Sequence, residues 1–306
     1  MNKENLKKSF TKFHDKNYKL LLLVPLCLLI FSIVYLSSFY STHHDFFNKD
    51  ISLSGGTSIT INDQIDSTLI KAAISSKLEG VNVREISDLI THEQLALIVE
   101  TKSDADTTRT VLEDYLGYQL DSENSSFEFT SATLGEEFYS QLAKMVLVAF
   151  ILMALVIFIQ FKSFIPSIAV IFSAFADILF ALVAVNLLGI PLSTAGIVAF
   201  LMLIGYSVDT DILLTNKVLK REGSSINTQL WASFKTGITM TLTSIVAVLA
   251  AFILVGPLSS VLYQIFLIMI LGLVADILNT WLTNVSIIKW YALSKQKKIE
   301  AKKNEN

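Results

Sequence analysis

Cysteine and histidine are scarce in this chain of 306 residues. There is one cysteine, Cys27, and the four histidines show no spacing typical of metal ligands. A lone cysteine excludes an intrachain disulfide, so any domain outside a membrane must be held together by its own core. The pattern predicts no metal site and no cofactor.

Charged residues are also scarce, at 17% of the chain, whereas 52% of the residues are hydrophobic and the mean hydropathy is +0.56. This composition is typical of a membrane protein and not of a soluble enzyme. The chain has no Gly-x-x-x-x-Gly-Lys-Ser/Thr pattern for binding ATP, so any energy input should come from a gradient or from another subunit. We expect no enzymatic activity and no catalytic residues.

Six apolar runs are long enough to cross about 30 Å of hydrocarbon as helices. We predict transmembrane helices at 20–40, 142–161, 165–188, 192–214, 237–255 and 261–288. The segments Gly189-Ile190-Pro191 and Gly256-Pro257 join two pairs of these helices and are short enough to form only tight turns. The first run lacks an Ala-x-Ala cleavage site, so we expect it to remain in the membrane as an anchor.

Basic residues predict the orientation of these helices. The tail 1–19, the turn with Lys162, the loop with Lys217, Lys220 and Arg221, and the tail 289–306 are all basic. The positive-inside rule places these segments, and both termini, on the cytoplasmic side of the cell membrane. The segment 41–141 then lies outside, and its six Lys or Arg face eighteen Asp or Glu. An acidic external domain argues against nucleic-acid binding.

The external segment 41–141 has the pattern of a small α+β domain. Alternating apolar residues predict strands at 49–61, 81–86, 94–100 and 126–133, and helical periodicity predicts helices at 66–78 and 104–116. Gly55 and Gly56 suggest a bulge or bend in the first strand. The order β-α-β-β-α-β is the ferredoxin-like arrangement, which we interpret as a binding or docking module. Its last strand runs directly into the transmembrane region 142–288, so movement of one could be transmitted to the other; a flexible tether is the alternative.

Four aspartates fall inside predicted transmembrane helices: Asp177, Asp209, Asp211 and Asp276. An ionised carboxylate at the centre of a bilayer costs about 2.5–3.5 kcal/mol on insertion scales, so such groups are usually functional. On a helix, Asp209 shares a face with Tyr206, and Asp211 shares another with Ser207. The two carboxylates point about 200° apart and cannot form one dyad. The pattern indicates a protein that moves protons or ions, or couples their movement to other work.

The fifth helix begins with a polar stripe that allows close helix contact. Lys235 at its start either reaches a carboxylate of the fourth helix or extends to the cytoplasmic interface. Asp177 either takes part in coupling or forms a packing hydrogen bond with Ser173, and a purely structural polar cluster is a further alternative. The candidates for ion coupling are Asp209, Asp211, Asp177 and Lys235. The supporting polar residues are Tyr206, Ser207, Thr236, Thr239 and Asp276.

These features together resemble the SecF family, which belongs to the resistance-nodulation-division superfamily. The resemblance rests on six spans with one large loop after the first, and on two motifs. The first is Asp-Ile-Ser-Leu-Ser-Gly-Gly-Thr-Ser-Ile at 50–59, whose centre is Gly55, Gly56 and Thr57. The second is Gly-Tyr-Ser-Val-Asp at 205–209. The form Val-Asp-Thr-Asp is similar to that of archaeal members, and Lys235 stands where many members carry Arg.

The resemblance implies a non-enzymatic subunit of the protein-secretion machinery. SecF proteins pair with SecD, which has the same six-span plan, and the pair lies in the lipid bilayer beside the SecY channel. The proton gradient would then help to move exported polypeptides. One alternative is a proton-coupled exporter of lipids or small molecules from the same superfamily, although such exporters usually have twelve spans and two external loops. Another is a structural factor that only holds SecD to the channel. The residues do not distinguish H⁺ from Na⁺ as the coupling ion.

Overall fold

The computed structural model describes residues 20–87, 91, 93–220, 225–255 and 259–304. In this part of the chain six helical spans are long and apolar enough to cross a membrane, as predicted. They are α1 (Leu23–His43), α5 (Ala132–Phe161), α6 (Phe164–Leu187), α7 (Thr194–Leu219), α8 (Ile226–Val255) and a last span at Val261–Lys298. The predicted turn Gly256-Pro257, the lysine-rich tail 1–19 and Arg221 lie outside the described residues.

The last span is not a continuous α-helix. It consists of α9 (Ser260–Leu278), a π-helical turn at Asn279–Asn284, and α10 (Val285–Asn304). About half of the residues in the apolar stretches of α6 and α7 are buried. In the apolar stretches of α5 and α8 only 6% of the residues are buried. The core of the bundle therefore lies around α6, α7 and the last span, and α5 and α8 present most of their side chains outward.

The α+β domain follows α1 and has the predicted ferredoxin-like order. A single turn of helix, α2 (Ile51–Ser54), precedes the elements β1 (Gly56–Ile61), α3 (Ser67–Ile74), β2 (Asn82–Ser87), β3 (Gln94–Thr101), α4 (Ala105–Leu116) and β4 (Ser125–Thr130). The strands form one sheet in the order β2-β3-β1-β4, with antiparallel neighbours. Apolar side chains from one face of the sheet, including Ile59 and Val99, pack against Ile70 and Leu112 of the two helices.

The strand predicted at 49–61 is wrong in its first half. Residues Ile51–Ser54 form α2, and the carboxylate of Asp50 accepts a hydrogen bond from the backbone N–H of Ser52 at its start. Gly55 then ends the helical turn with a φ of 79° and a ψ of 159°, a combination that glycine adopts without strain. The alternating apolar residues of this segment are equally compatible with one helical turn followed by a strand, and the glycine pair marks the change between them.

Glycine also allows the α+β domain to approach the membrane helices closely. A Cβ atom at Gly55 would lie 2.4 Å from the Cα of Ala132, and one at Gly135 would lie 2.7 Å from the backbone nitrogen of Gly55. Helix α5 begins at Ala132, only one residue after the end of β4, and Ser131 caps it. The domain is thus attached to the second membrane helix through direct backbone contact.

A second attachment joins the segment before α2 to the turn between α6 and α7. The backbone N–H of Asp50 donates to the carbonyl of Leu192 at 2.9 Å, and the N–H of Leu192 donates to the carbonyl of Asn48 at 2.7 Å. The N–H of Thr194 donates to the hydroxyl of Ser52 at 3.1 Å. These bonds hold the domain against the end of the helix pair whose interior carries the buried aspartates.

Candidate functional site

A buried polar cluster lies between α6, α7 and the last span. Asp177 of α6 is fully buried. Its Oδ2 accepts a hydrogen bond from the hydroxyl of Ser207 on α7 at 2.5 Å, and its Oδ1 accepts one from Nδ2 of Asn279 at 2.7 Å. The predicted packing bond between Asp177 and Ser173 is therefore replaced by bonds to two other helices.

Asp211 of α7 is the second buried carboxylate of this cluster. Its Oδ1 accepts hydrogen bonds from the hydroxyl of Thr280 at 2.8 Å and from Nδ2 of Asn284 at 2.7 Å. The hydroxyl oxygen of Thr280 also lies 3.1 Å from Oδ1 of Asp276, which is itself fully buried. The hydroxyl of Thr280 thereby joins Asp211 to Asp276, and the amide that holds Asp177 belongs to Asn279, the residue before Thr280.

The hydroxyl of Thr280 has a single proton to donate, although it lies between two carboxyl groups. Suppose that Thr280 donates this proton to Asp211. Its contact with Asp276 is then a hydrogen bond only if Asp276 is protonated and donates to the oxygen of Thr280. In the described part of the chain no lysine or arginine lies within ion-pair distance of these three groups. Burying carboxylates without a cationic partner is costly unless hydroxyl and amide groups satisfy them, which is the role of the side chains around these three groups.

The fourth candidate aspartate does not join this cluster. Asp209 is exposed on the opposite face of α7, next to Tyr206, while Ser207, Asp211 and Thr215 are all buried. This agrees with the two faces expected from helical geometry. The hydroxyl of Tyr206 is hydrogen bonded to the hydroxyl of Ser244 on α8, so the outward face of α7 continues onto α8.

Lys235 is exposed on α8 and forms no ion pair among the described residues. The cation that contacts the predicted polar stripe is instead Lys217 of α7, whose Nζ donates to the hydroxyl of Thr236 at 3.0 Å. Thr239 is exposed and donates to the carbonyl of Lys235 on its own helix at 2.7 Å. Together with Tyr206 and Asp209 these residues form an outward polar face on α7 and α8, defined here as the α7/α8 polar face.

Sequence reasoning missed the importance of Asn279, Thr280 and Asn284. They were not among the predicted site residues, yet they supply three of the four hydrogen bonds to Asp177 and Asp211. The polar residues at 279, 280, 283 and 284 span about 140° on an α-helix, which is no wider than an ordinary helix face. Their spacing therefore gave no signal of the π-helical turn.

The predicted motif Gly55, Gly56 and Thr57 has a structural position and does not touch the buried cluster. The hydroxyl of Thr57 is fully buried and donates to the carbonyl of Ser103 at 2.8 Å. Gly56 has a φ of 139° and lies against the backbone of Thr101. The motif therefore connects the sheet of the α+β domain to its attachment on α5.

A second polar group lies where the α+β domain meets the α6–α7 turn. Arg84 on β2 forms an ion pair with Glu100 on β3, and Nδ2 of Asn82 donates to Glu100 at 3.0 Å. A cavity of about 190 Å³ is lined by Asp50, Glu100 and neighbouring residues. Burial raises the pKa of Asp50 from 3.8 to about 6, with a further increase from the negative charge of Glu100 and an opposing effect of Arg84.

Residues 111–294 match the protein family described as "Protein export membrane protein SecD/SecF, C-terminal". The protein-export membrane protein SecF of Methanocaldococcus jannaschii is 40% identical over 283 residues, covering 90% of this chain and 96% of the relative. SecF of Methanothermobacter thermautotrophicus is 36% identical over 249 residues, covering 80% of this chain and 84% of the relative. The similarity thus extends over nearly the full length of these proteins.

Solved structures share the fold at low sequence identity. The crystal structure of SecDF, a translocon-associated membrane protein from Thermus thermophilus, matches with a TM-score of 0.72 at 17% identity. The match covers 90% of this chain and 38% of that chain, so this chain spans well under half of its length. A crystal structure of SecDF in a super-membrane-facing form matches with a TM-score of 0.57 at 19% identity.

Proposed function

The chain belongs to the SecF family of protein-export membrane proteins, and on that basis we propose that it works with SecD to promote protein export, driven by protons that bind within the membrane. The observation that carries the proposal is the buried cluster of Asp177, Asp211 and Asp276, to which the described part of the chain supplies hydroxyl and amide groups and no cation. We propose no enzymatic activity for this chain.

The cluster is suited to binding and releasing a proton. A buried carboxylate that has no cationic partner changes its hydrogen bonds when it gains a proton, because it becomes a donor and a weaker acceptor. Thr280 lies between Asp211 and Asp276 and can accept from one while it donates to the other. A proton on Asp276 could therefore pass to Asp211 through the Thr280 hydroxyl, with the hydroxyl proton moving on as the new one arrives.

The α7/α8 polar face supports a partner within the membrane. Asp209, Lys235 and Thr239 are exposed there in this chain. Polar side chains facing lipid are costly, so a second polar helix surface should cover them. We propose that SecD supplies that surface, as suggested by the solved SecDF chain, which is more than twice as long as the part matched here. The description of that relative as translocon-associated suggests the SecY channel as the next partner.

In the proposed arrangement the termini are cytoplasmic and the α+β domain lies outside the cell membrane. Movement at the buried cluster would reach that domain through α5 and through the bonds between Asp50 and Leu192. The exported polypeptide would be handled on the outer side, where the domain lies against α5 and the α6–α7 turn. The orientation can be checked with an accessibility reagent that labels single cysteines placed at 106 and at 297.

The experiment that tests the proposal compares three variants in cells that depend on this chain for efficient secretion. Asp211→Asn and Asp177→Asn should reduce export of a secreted reporter while SecD still co-purifies in mild detergent. Asp106→Asn, an exposed acid of the α+β domain, is the matched control and should export normally. Normal export by both buried-site variants would remove the proton-coupling proposal and leave a purely structural role.

A further inference from the structure

The π-helical turn Asn279–Asn284 supplies most of the donors to the buried carboxylates. Asn279 bonds to Asp177 on α6, and Thr280 and Asn284 bond to Asp211 on α7. The backbone N–H of Val285 donates to the carbonyl of Thr280, five residues earlier, which is the hydrogen bond that defines a π-helix. Two different membrane helices are therefore held by one six-residue turn.

The winding of the turn explains how both amides reach the same side of the span. Residues five apart on an α-helix point about 140° away from each other, given 3.6 residues per turn. In a π-helix, hydrogen bonds close between residues five apart, so Asn279 and Asn284 lie nearly above one another. An α-helix with the same sequence would instead direct the two amides about 140° apart.

A π-helical turn contains one residue more than the α-helix it interrupts, and such turns are rare and frequent at functional sites. Its backbone alone does not favour this form, so the side chains must stabilise it. Hydrogen bonds to an ionised carboxylate are roughly twice as strong as those between neutral groups. The negative charge of Asp177 or Asp211 therefore stabilises the turn, and a bound proton weakens that stabilisation.

The turn is also in contact with α8. Trp281 at its centre packs against Gly237, where a Cβ atom would lie only 2.6 Å from the indole ring. Its ring meets that of Phe234 edge-on, at 5.0 Å between centroids. A rearrangement of the turn would move Trp281 and so shift α8, one of the two helices that carry the α7/α8 polar face.

We propose that Asn279, Thr280 and Asn284 are positioning residues on a switchable turn, which is π-helical while it holds ionised carboxylates and rearranges when a carboxylate is neutralised. This inference rests on the proposed function and specifies its moving part. When the turn rearranges, the place of its one extra residue moves along the span. Helix α10 then rotates relative to α9. The ionisable groups around the turn are Asp177 on α6, Asp211 on α7, Asp276 on α9 and Lys289, which is buried on α10.

The first test is a structure of the Asp211→Asn protein in complex with its partner, beside that of the wild type. The asparagine keeps the shape of the aspartate and removes its charge. We expect the hydrogen bonds between residues five apart to leave 279–284 or to move along the span, with Trp281 displaced from Gly237. A π-helical turn at the same residues in both proteins would overturn the inference.

The second test removes the surplus residue by deleting Leu282, which bonds to neither carboxylate. Asn279 and Asn284 are then four residues apart, a spacing that keeps them on one face of an α-helix. Both amide donors remain, but the turn can no longer switch between a π-helical and an α-helical form. We expect SecD to co-purify and reporter export to fall to the level of Asp211→Asn. The matched control Leu282→Ala keeps the chain length and should export normally.

The two tests separate this inference from the proposed function. Normal export by both Asp177→Asn and Asp211→Asn contradicts the proposed function itself. A defect in Asp211→Asn with normal export by the Leu282 deletion contradicts only the switch. If the deletion protein does not accumulate in membranes, the structure of Asp211→Asn decides the matter alone.

Discussion

The hydroxyl of Ser207 on α7 donates a hydrogen bond of 2.5 Å to Oδ2 of Asp177 on α6. Both residues are buried, so no water replaces the bond if it is lost. This contact connects the Gly-Tyr-Ser-Val-Asp motif to a carboxylate that lies 30 residues away in sequence. It also shows why the buried face of the motif, and not its exposed Asp209, belongs to the proposed coupling site.

Substituting Ser207→Ala should destabilise the protein by about 1–3 kcal/mol, because a buried acceptor loses its donor. The measurement is thermal unfolding of this chain without its partner in detergent, where the face of Tyr206 is uncovered, read beside export of a reporter. Tyr206→Phe is the control: it removes one neighbouring hydroxyl, on the exposed face of the same helix, and should change stability by less. An equal effect of both substitutions would contradict the assignment of Ser207 to the buried site.

Asn284→Ala should destabilise the protein by a similar amount or more, since the bond it removes is made to a carboxyl group. The turn 279–284 should also become less ordered, which hydrogen exchange of its backbone amides would detect. Ser286→Ala is a matched control, because among the described residues its hydroxyl bonds to a backbone carbonyl, that of Leu282 at 2.6 Å, and to no carboxylate. If the backbone amides of the turn exchange as slowly in Asn284→Ala as in the wild type, the side chain of Asn284 does not stabilise the turn.

Asp50→Asn should change how stability depends on pH. The raised pKa means that the folded state binds a proton more tightly than the unfolded state, so this stabilisation is complete below about pH 4 and is lost as pH rises to 6. A rise from 3.8 to about 6 corresponds to about 3 kcal/mol. The variant should therefore be more stable than the wild type at pH 8, and the two should converge in acid.

The asparagine at 50 can still accept from the N–H of Ser52, so the start of α2 is preserved. Unfolding midpoints of both proteins between pH 4 and pH 8 give the comparison. Glu128→Gln, at an exposed position of β4, is the control and should follow the wild type throughout. A constant difference between Asp50→Asn and the wild type over this range would contradict the buried environment of Asp50.

Gly55→Ala should be much more damaging than Gly117→Ala. The two glycines have nearly the same positive φ, 79° and 76°, but their ψ angles differ. Gly117 is left-handed helical with a ψ of 10°, whereas Gly55 has a ψ of 159°, a region that only glycine readily occupies. A Cβ atom at Gly117 meets nothing within 4 Å, whereas at Gly55 it meets the backbone of Ala132 at 2.4 Å. Thermal unfolding of the two variants measures the difference, and equal destabilisation by both would contradict the close contact between Gly55 and α5.

The architecture was largely predictable because its signals are local. Six apolar runs and the alternation of apolar residues in 41–141 are each visible in short windows, and the structure has the predicted six spans and the β-α-β-β-α-β order. The error at Ile51–Ser54 is of the same local kind. Apolar residues at alternate positions over four residues suit a strand and a helical turn alike, and packing against α5 decides between them.

The site was only partly predictable because its contacts are distant in sequence. Helical geometry correctly separated Asp209 from Asp211, but it could not determine which face would be buried. That depends on Thr280 and Asn284, which lie 69 and 73 residues beyond Asp211. The π-helical turn adds one residue to the span, and periodicity arguments that assume 3.6 residues per turn cannot detect it.

Proton entry into sealed vesicles that contain the purified SecD–SecF complex tests the central claim most directly. An acidic external medium and a pH-sensitive dye inside the vesicles report the rate. The account predicts that protons enter faster than into empty vesicles for the wild type and for the control Asp106→Asn. For Asp177→Asn and Asp211→Asn it predicts the rate of empty vesicles. Wild-type rates in both buried-site variants would contradict the account.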